Sequence, residues 1–289
     1  MKKTTEKKGA AKMREKLKSY QQYLVEQELA ESTIRTYLRQ AEMFVRYAGE
    51  RGRTRRMVLA YKKQLMDKGY KISTVNLAII AVNKYLRFCG QETCTVRTNR
   101  QQCRKSLENV ISESEYRQLL DYAEESGREK YYLIMRTLAL TGIRVGELQY
   151  ITVEMLTDGY TLVSNKGKTR EIYVPECLAE QIRSYCKREK ISKGAVFRGC
   201  GERPISRTAV WKMLQHLADM AGVDKRKVHP HSFRHFFALS YMKHFSNIFE
   251  LADILGHSSL ETTRIYTTAS VEQKRERMGM LDERQKGEK

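Results

Sequence analysis

Leu255-Gly256-His257-Ser258-Ser259 is followed by Leu260-Glu261-Thr262-Thr263-Arg264-Ile265-Tyr266, so that a tyrosine stands nine residues after a histidine near the end of the chain. The apolar spacing before it predicts a helix over residues 248–255. Thr262 and Thr263 are suited to open a short helix that presents Tyr266. This stretch therefore predicts a helix, a turn that holds His257, and a tyrosine on a short helical segment.

Two upstream motifs hold the charged and titratable side chains that a tyrosine nucleophile needs. They are Thr141-Gly142-Ile143-Arg144-Val145-Gly146-Glu147-Leu148 and His231-Ser232-Phe233-Arg234-His235. A phenol, with a pKa of ~10, attacks a phosphodiester near neutral pH only if cations neutralise the phosphate and other groups move protons. Arg144, Arg234, His231 and His257 are groups of this kind.

Each of these residues also has an ordinary alternative role. Arg144 and Arg234 carry planar guanidinium groups that can each donate two hydrogen bonds to a phosphate. Either could instead be a surface arginine or pair with a carboxylate, and Glu147 lies three residues after Arg144 on the same helical face. His231 and His257 can donate to phosphate or exchange protons near neutral pH, although His257 could merely terminate a helix.

A metal site is the second alternative for the histidines. His229, His231 and His235 are close in sequence, the last two one helical turn apart, but Arg234 puts a fixed positive charge among them and no glutamate lies between them as in a metalloprotease helix. The cysteines show no paired spacing of the kind that holds zinc; they are Cys89, Cys94, Cys103, Cys177, Cys186 and Cys200. We therefore predict no metal and no other cofactor, and we expect a structural role for His235.

Composition favours a polyanionic partner. The 289 residues include 54 lysines and arginines against 34 acidic residues, a formal net charge of +20. Such an excess attracts nucleic acid in a salt-dependent manner. The sequence has no run of about 18 apolar residues, and Met1-Lys2-Lys3 leads into polar sequence rather than an apolar signal core. We expect a cytoplasmic, nucleoid-associated protein without membrane contact.

The apolar pattern divides the chain into two domains. Residues 1–12 are rich in lysine and poor in large apolar side chains, which is typical of a flexible basic tail. Over residues 13–92, apolar positions recur at helical spacing in four segments and predict a four-helix bundle, with Ser73 placed to cap the fourth helix. Residues 93–110 lose this periodicity and predict a basic linker.

Residues 111–289 form the predicted second domain. Ser112, three residues before Glu115, has the spacing of a capping box and predicts a helix start. Two β-favouring stretches, 160–163 and 171–174, flank a turn that contains lysines and predict a small antiparallel sheet. Further helices are predicted over 129–140, 177–188, 206–221, 232–243 and 248–255.

Together, these motifs resemble those of the tyrosine site-specific recombinases, or phage integrase family, in the compact Xer-like two-domain form. The resemblance covers most of the chain and rests on Thr-Gly-Ile-Arg at 141–144, His-x-x-Arg at 231–234, Leu-Gly-His at 255–257 and the tyrosine nine residues on. It implies a mainly α fold, with an N-terminal four-helix core-binding (SAM-like) bundle and a C-terminal mixed α catalytic domain that carries a small antiparallel β-sheet. It also makes Tyr266 the nucleophile and assigns its support to Arg144, His231, Arg234 and His257.

The resemblance assigns one further catalytic role, to a lysine of the β-hairpin. The family's hairpin lysine, which protonates the departing 5′ oxygen, aligns with Lys166 in Asn165-Lys166-Gly167. The family often has glycine before this lysine, where this chain has Asn165, which also tolerates a turn. Lys168 stays open as the alternative acid or as a phosphate contact, because hairpin register is not fixed by sequence alone.

The function that the resemblance implies is site-specific recombination. Attack by Tyr266 gives a 3′-phosphotyrosine and a free 5′ hydroxyl, and the retained bond energy removes any need for ATP or metal. The sequence agrees, since it lacks a phosphate-binding Gly-x-x-x-x-Gly-Lys loop and an evident acidic cluster for Mg²⁺. The alternatives are DNA relaxation like that of a type IB topoisomerase and a DNA-binding regulator without catalysis.

The implied partner is double-stranded DNA with paired recombination sites. The resemblance implies that four copies of the chain form a homo-tetramer in the synapse and that the free protein is a monomer. An accessory directionality factor is a further partner for which the resemblance allows. Residues 271–289 are expected to dock on a neighbouring protomer, with a frayed tail as the alternative. Predicted DNA contacts, for which surface solubility is the alternative role, are Lys168, Arg35, Arg39, Lys84, Arg97, Arg100, Arg104 and Lys105.

Overall fold

The computed structural model describes residues 2–49, 52–100, 107, 109–165, 168–257 and 259–267, without the side chains of 2–13, 164, 165 and 168. The chain divides into two compact units, Met1–Arg104 and Lys105–Lys289, and each has a hydrophobic core of its own. The described residues are mainly helical with one antiparallel strand pair, which confirms the predicted fold class. Among them, no helix is both long enough and apolar enough to cross a membrane.

The first unit contains the four predicted helices. They are α1 (Lys2–Glu26), α2 (Glu31–Ala48), α3 (Arg55–Asp67) and α4 (Ile72–Phe88). Helix α1 begins within the predicted tail, because the lysines, glutamate and alanines of this segment are good helix formers. The predicted cap of α4 is wrong: Lys71 is the N-cap, no side chain caps this helix end, and Ser73 lies inside the first turn.

The core of the first unit is built from the apolar faces of these helices. Phe44, Val58, Ile79 and Val82 are fully buried in its larger cluster. A neighbouring cluster joins α1 to α2 and α4 through Tyr20, whose ring meets that of Tyr85 edge to face at 5.0 Å between centroids. Such aromatic pairs stabilise a core beyond the area that they bury.

The first residues of the predicted linker are fastened to this unit. The side chain of Asn83 both donates to the carbonyl of Val96 at 2.8 Å and accepts from its N–H at 3.1 Å. Asn76 makes the same pair of bonds with the backbone of Asn99, at 3.0 and 2.8 Å. An amide side chain satisfies both backbone groups of an extended residue in this way, so the segment does not behave as a free linker as far as Asn99.

The second unit contains seven α-helices and two strands among its described residues. They are α5 (Glu113–Glu125), α6 (Glu129–Thr141), α7 (Met155–Asp158), β1 (Tyr160–Asn165), β2 (Lys168–Tyr173), α8 (Glu176–Arg188), α9 (Arg207–Met220), α10 (Pro230–Phe245) and α11 (Ile248–Leu255). The predicted capping box is confirmed, since Ser112 accepts from the N–H of Glu115 and Glu115 accepts from that of Ser112.

Three short 3-10 segments occur near the site motifs. Val145–Tyr150 follows Arg144, and Leu260–Thr262 and Arg264–Thr267 lead up to and include Tyr266. The single helix predicted from Thr262 and Thr263 is therefore replaced by two 3-10 turns. In the hairpin, β1 pairs with β2 from Tyr160 opposite Tyr173 to Asn165 opposite Lys168.

Candidate active site

Helix α10 is the element around which the site is arranged. His229 caps its start, with Nδ1 accepting from the N–H of Ser232 at 3.1 Å, and Pro230 occupies the first helical position. Proline is favoured there because its fixed φ suits a helix and its missing N–H is not needed. The spacing of His231, Arg234 and His235 places all three on one side of the helix.

Arg234 connects the ends of two other helices. Its side chain is buried, and it donates to the carbonyl of Gly142 at 2.6 Å and to that of Leu255 at 2.5 Å. These carbonyls belong to the C-terminal ends of α6 and α11, where partial negative charge accumulates. A single guanidinium group thus draws together the Thr-Gly-Ile-Arg and Leu-Gly-His motifs.

Arg144 lies in the same place and is fixed by a carboxylate. Its N–H and its Nη1 donate to Glu147 at 2.7 and 3.1 Å, and its Nη2 donates to the carbonyl of Gly256 at 3.2 Å. Arg170 of β2 donates to Glu147 at 2.5 Å and to the carbonyl of Ile254 at 2.5 Å. The pairing of Arg144 with Glu147 that the sequence offered as an alternative is therefore compatible with a place in the site.

Arg144, Arg170 and Arg234 with Glu147, here called the arginine cluster, carry an excess of positive charge. Burial raises the pKa of Glu147, but the backbone bond from Arg144 and the charges on Arg170 and Arg144 outweigh it and hold that pKa below its usual value. Burial, followed by the charges on Arg144 and Arg170, lowers the pKa of Arg234 to about 9. Like charges at close range in a partly buried site favour an anion, and a phosphate would relieve this repulsion.

Two histidines of the prediction flank the cluster. Partial loss of water around the ring, followed by the charges on Arg234 and Arg144, lowers the pKa of His231 and favours the neutral form of its ring. His257 begins the loop after α11, and its Nδ1 lies 2.8 Å from the hydroxyl of the buried Thr263. This hydrogen bond fixes the orientation of the His257 ring.

Tyr266 is held against α10 and α11. Its side chain is 8% exposed and packs in a cluster with Ala238, Leu251 and Leu255. Its hydroxyl lies 2.6 Å from Nδ1 of His235, and the two rings are tilted by 52°. Burial raises the pKa of Tyr266 above its usual value, against an opposing effect of the Arg234 charge. The phenol is therefore protonated at neutral pH, and it would act as a nucleophile only with a proton acceptor within reach.

The predicted lysines and DNA contacts are only partly described. Lys166, the side chain of Lys168, Arg104, Lys105 and the predicted docking segment 271–289 lie outside the described residues. In the first unit, Arg35 pairs with Glu31 at 2.6 Å and Lys84 lies over the ring of Tyr23 at 5.9 Å. The remaining predicted contacts of this unit are exposed; they are Arg39, Arg97 and Arg100.

One residue of the site, Arg170, was missed in the sequence, and the contact made by a second, His235, was not foreseen. Arg170 lies opposite Val163 and two residues before Ile172, and both of these are buried. Strand alternation therefore gave a signal for an inward-facing arginine. His235, to which the sequence assigns a structural role, contacts the hydroxyl of Tyr266; its position one turn after His231 was visible, but its contact was not.

The alternative of a metal site among the histidines can be compared with the part of the chain that the structure describes. There, no three histidine, cysteine, aspartate or glutamate side chains come together in a way that could hold a metal ion. His229, the first member of the alternative metal cluster, is used as the cap of α10.

Known protein families match both units of the chain. Residues 109–273 match the phage integrase family, and residues 17–93 match the phage integrase N-terminal SAM-like domain. The tyrosine recombinase XerA of Pyrococcus furiosus is 30% identical over 271 residues, covering 91% of this chain and 92% of that protein. The tyrosine recombinase XerD of Halalkalibacterium halodurans is 29% identical over 268 residues, covering 84% of this chain and 89% of that protein.

A solved structure shares the fold. The crystal structure of a lambda integrase dimer bound to a COC′ core site has a TM-score of 0.71 at 18% identity, covering 88% of this chain and 95% of that chain. The family match spans more than half of the chain and includes every residue of the arginine cluster and Tyr266. The resemblance inferred from the motifs is thus confirmed, and this chain belongs to the phage integrase family.

Proposed function

We propose that this chain is a site-specific DNA recombinase that cuts and rejoins strands through a covalent bond between Tyr266 and a 3′ phosphate. The observation that carries the proposal is that Tyr266 packs against α10, the helix whose Arg234 lies in the arginine cluster. The net charge of +20 and the relatives named as tyrosine recombinases support the same conclusion.

The arginine cluster is proposed to bind the scissile phosphate. Arg144 retains a side chain that is 34% exposed, whereas Arg170 is 10% exposed. Arg144 is thus the member best able to reach a DNA phosphate directly, while Arg170 and Glu147 hold it in position. Guanidinium donors stabilise the extra negative charge of the pentacovalent transition state more than they stabilise the ground state, which is the requirement for catalysis.

Two histidines are proposed to bind the phosphate oxygens, and a hairpin lysine is proposed to supply a proton. His231 and His257 are proposed to donate to the phosphate oxygens, since an imidazole N–H is a good hydrogen-bond donor and the bond to Thr263 holds the ring of His257 in one orientation. Lys166 is proposed to protonate the departing 5′ oxygen, with Lys168 as the alternative. Asn165 opposite Lys168 is the last strand pair before the turn among the described residues, and this supports a role for a lysine near the turn.

The covalent intermediate makes the reaction independent of ATP and of metal. The energy of the broken phosphodiester is kept in the 3′-phosphotyrosine and is used when a second 5′ hydroxyl attacks. Release of the 5′ hydroxyl of one strand and entry of another is what exchanges the strands. The arginine cluster supplies the positive charge that a metal ion supplies in other phosphoryl-transfer enzymes.

Both units are proposed to contact one DNA duplex, the first unit as a core-binding domain over residues 13–92 and the second as the catalytic domain from residue 111. Exposed basic residues of the first unit would contact phosphates and so contribute affinity rather than sequence specificity. Four protomers would bring two recombination sites together, with residues 271–289 of each protomer docked on a neighbour. An accessory directionality factor would bind where one direction of recombination is favoured. The lambda integrase of known structure is a dimer on its core site.

The experiment that tests the proposal uses a suicide duplex. DNA flanking the gene supplies the site, and a nick beside the scissile phosphate lets the short 5′ fragment escape so that religation is blocked. Wild type and Tyr266→Phe are incubated with it in EDTA and resolved on a denaturing gel. We expect a covalent adduct with wild type and none with Tyr266→Phe.

A matched control keeps the result specific. Tyr150→Phe removes the same oxygen from an exposed tyrosine of the second unit and should leave adduct formation unchanged. An adduct formed by Tyr266→Phe would exclude this residue as the nucleophile. A duplex that wild type binds but does not cleave would count against the enzymatic proposal and favour a DNA-binding regulator.

A further inference from the structure

The hydroxyl of Tyr266 is in direct contact with a histidine that has no role in the proposed function above. Nδ1 of His235 lies 2.6 Å from this hydroxyl. His235 directly follows Arg234 and is four residues after His231, so it occupies the same side of α10 one turn further along. The contact therefore joins the proposed nucleophile to the helix that positions the arginine cluster.

The surroundings hold this pair in one geometry. Tyr266 packs on Ala238, Leu251 and Leu255, and Ala238 is fully buried one turn beyond Arg234. The N–H of Tyr266 donates to the carbonyl of Thr263 at 3.0 Å, which fixes the 3-10 turn that carries the ring. With the ring and its backbone both fixed, the hydroxyl is directed at His235 by packing rather than by a chance rotamer.

Such a phenol needs a base within hydrogen-bonding reach. Burial makes loss of the proton to water unfavourable, and the Arg234 charge only partly compensates. An acceptor in direct contact removes the proton while the new bond forms, so that a free phenolate never has to exist. An imidazole nitrogen at 2.6 Å satisfies the distance requirement for such a transfer.

We propose, on the basis of the function proposed above, that His235 is a further catalytic residue whose Nδ1 accepts the proton of Tyr266 during attack and returns it during religation. The O–H bond of Tyr266 breaks as the Nδ1–H bond of His235 forms, and the bond between Oη and phosphorus forms as the bond from phosphorus to the 5′ oxygen breaks. The departing 5′ oxygen takes its proton from the hairpin lysine. Religation reverses each of these transfers.

The other two histidines are less suited to this role. Nδ1 of His257 is engaged with the hydroxyl of Thr263 at 2.8 Å. His231 is next to the guanidinium groups of Arg144 and Arg234, whose charges disfavour a second positive charge on its ring. The three histidines therefore have different roles: His231 and His257 bind the phosphate, and His235 accepts the proton of Tyr266.

A first experiment tests the contact without any DNA. The chain has six histidines, so long-range ¹H–¹⁵N spectra of ¹⁵N-histidine protein can be assigned by single substitutions. We expect His235 to carry its proton on Nε2, with Nδ1 as acceptor, and Tyr266→Phe to shift its Nδ1 resonance. His244, an exposed residue of the same helix, should not respond. A proton on Nδ1, or a resonance that ignores Tyr266→Phe, would overturn the proposal.

A second experiment measures the chemistry on the suicide duplex in single turnover. His235→Asn keeps an acceptor oxygen near the position of Nδ1 but cannot take up a proton, and we expect it to form the adduct about 100-fold more slowly or worse. His244→Gln is the matched control on the same helix and should react at the wild-type rate. Added imidazole should restore part of the activity of His235→Ala, which rules out misfolding as the cause.

A sulfur in place of the bridging 5′ oxygen separates the two proton transfers. A thiolate leaves without protonation. This duplex should therefore restore the rate of adduct formation of a variant that lacks the hairpin lysine, but it should not restore that of His235→Asn. If His235→Asn reacts within twofold of wild type, or if its defect disappears with the sulfur duplex, the role assigned to His235 is wrong while the recombinase proposal stands. If wild type itself forms no adduct on DNA that it binds, both proposals fall.

Discussion

Replacing Glu147 by glutamine removes the negative charge of the arginine cluster while keeping nearly the same volume. Glu147 is 3% exposed and accepts three hydrogen bonds, from the N–H of Arg144 at 2.7 Å, from its Nη1 at 3.1 Å and from Nη2 of Arg170 at 2.5 Å. A glutamine presents one acceptor oxygen and an NH₂ group that would face donors. Removing one partner of a buried ion pair costs about 3–5 kcal/mol, so we expect Glu147→Gln to lower the free energy of unfolding of the second unit by that amount.

Urea unfolding followed by tryptophan fluorescence measures this change in the full chain. Trp211 is the single tryptophan and lies in α9, so it reports only on the second unit. Glu113→Gln is the matched control, because Glu113 forms an exposed pair with Arg117 on α5 that is worth about 0.3–0.5 kcal/mol. If Glu147→Gln costs no more than Glu113→Gln, the carboxylate does not hold the cluster together and the electrostatic argument fails.

The pH dependence gives an independent check with a defined sign. The pKa of Glu147 is lower in the folded protein than its usual value, so its contribution to stability is complete above the unfolded pKa of ~4.3. That contribution is lost as the pH falls from there through the folded pKa. The difference between wild type and Glu147→Gln should therefore shrink below about pH 4.3 and stay constant between pH 6 and 8. A constant difference down to pH 3 would refute the assignment.

Three further predictions concern the loop after α11 and the phosphate site. Gly256 has φ +60 and an added Cβ would overlap Arg170, whereas Gly159 has φ +76 and an added Cβ would meet open space. Gly256→Ala should therefore lower the urea midpoint more than Gly159→Ala, for which we expect a cost of about 1 kcal/mol. Equal losses in the two variants would contradict this. Thr263→Val removes the hydrogen bond to His257. Loss of about 1.4 kcal/mol from the transition state should slow adduct formation about tenfold, and single-turnover kinetics measure this. The stability cost should be about 1 kcal/mol by urea unfolding. The pKa of His231, measured by NMR, should lie below ~6.5 and rise when inorganic phosphate replaces chloride at equal ionic strength, since an anion offsets the neighbouring cations; an unchanged value would argue against a phosphate site.

Local signals in the sequence were sufficient for most helices and for the hairpin. Helix α11 has the predicted bounds, and the capping box of Ser112 and Glu115 is present. The prediction at Ser73 failed because a serine near a helix start is a cap only if the backbone turns at that residue, and here it turns at Lys71. Cap positions depend on where tertiary packing starts a helix, which composition does not specify.

What the sequence determined by itself is the list and order of the chemically competent residues. The spacing of His231 and Arg234 puts them on one side of any helix. The Leu-Gly-His motif with a tyrosine nine residues later singles out Tyr266, among 17 tyrosines, as the predicted nucleophile. Only the tertiary structure decided which of these residues touch. Arg170 reaches Glu147 across 23 positions and His235 reaches Tyr266 across 31. Such contacts depend on how the strands and the loop after α11 pack against α10. Sequence periodicity shows which face of a helix or strand is buried, but it does not show which element packs against that face.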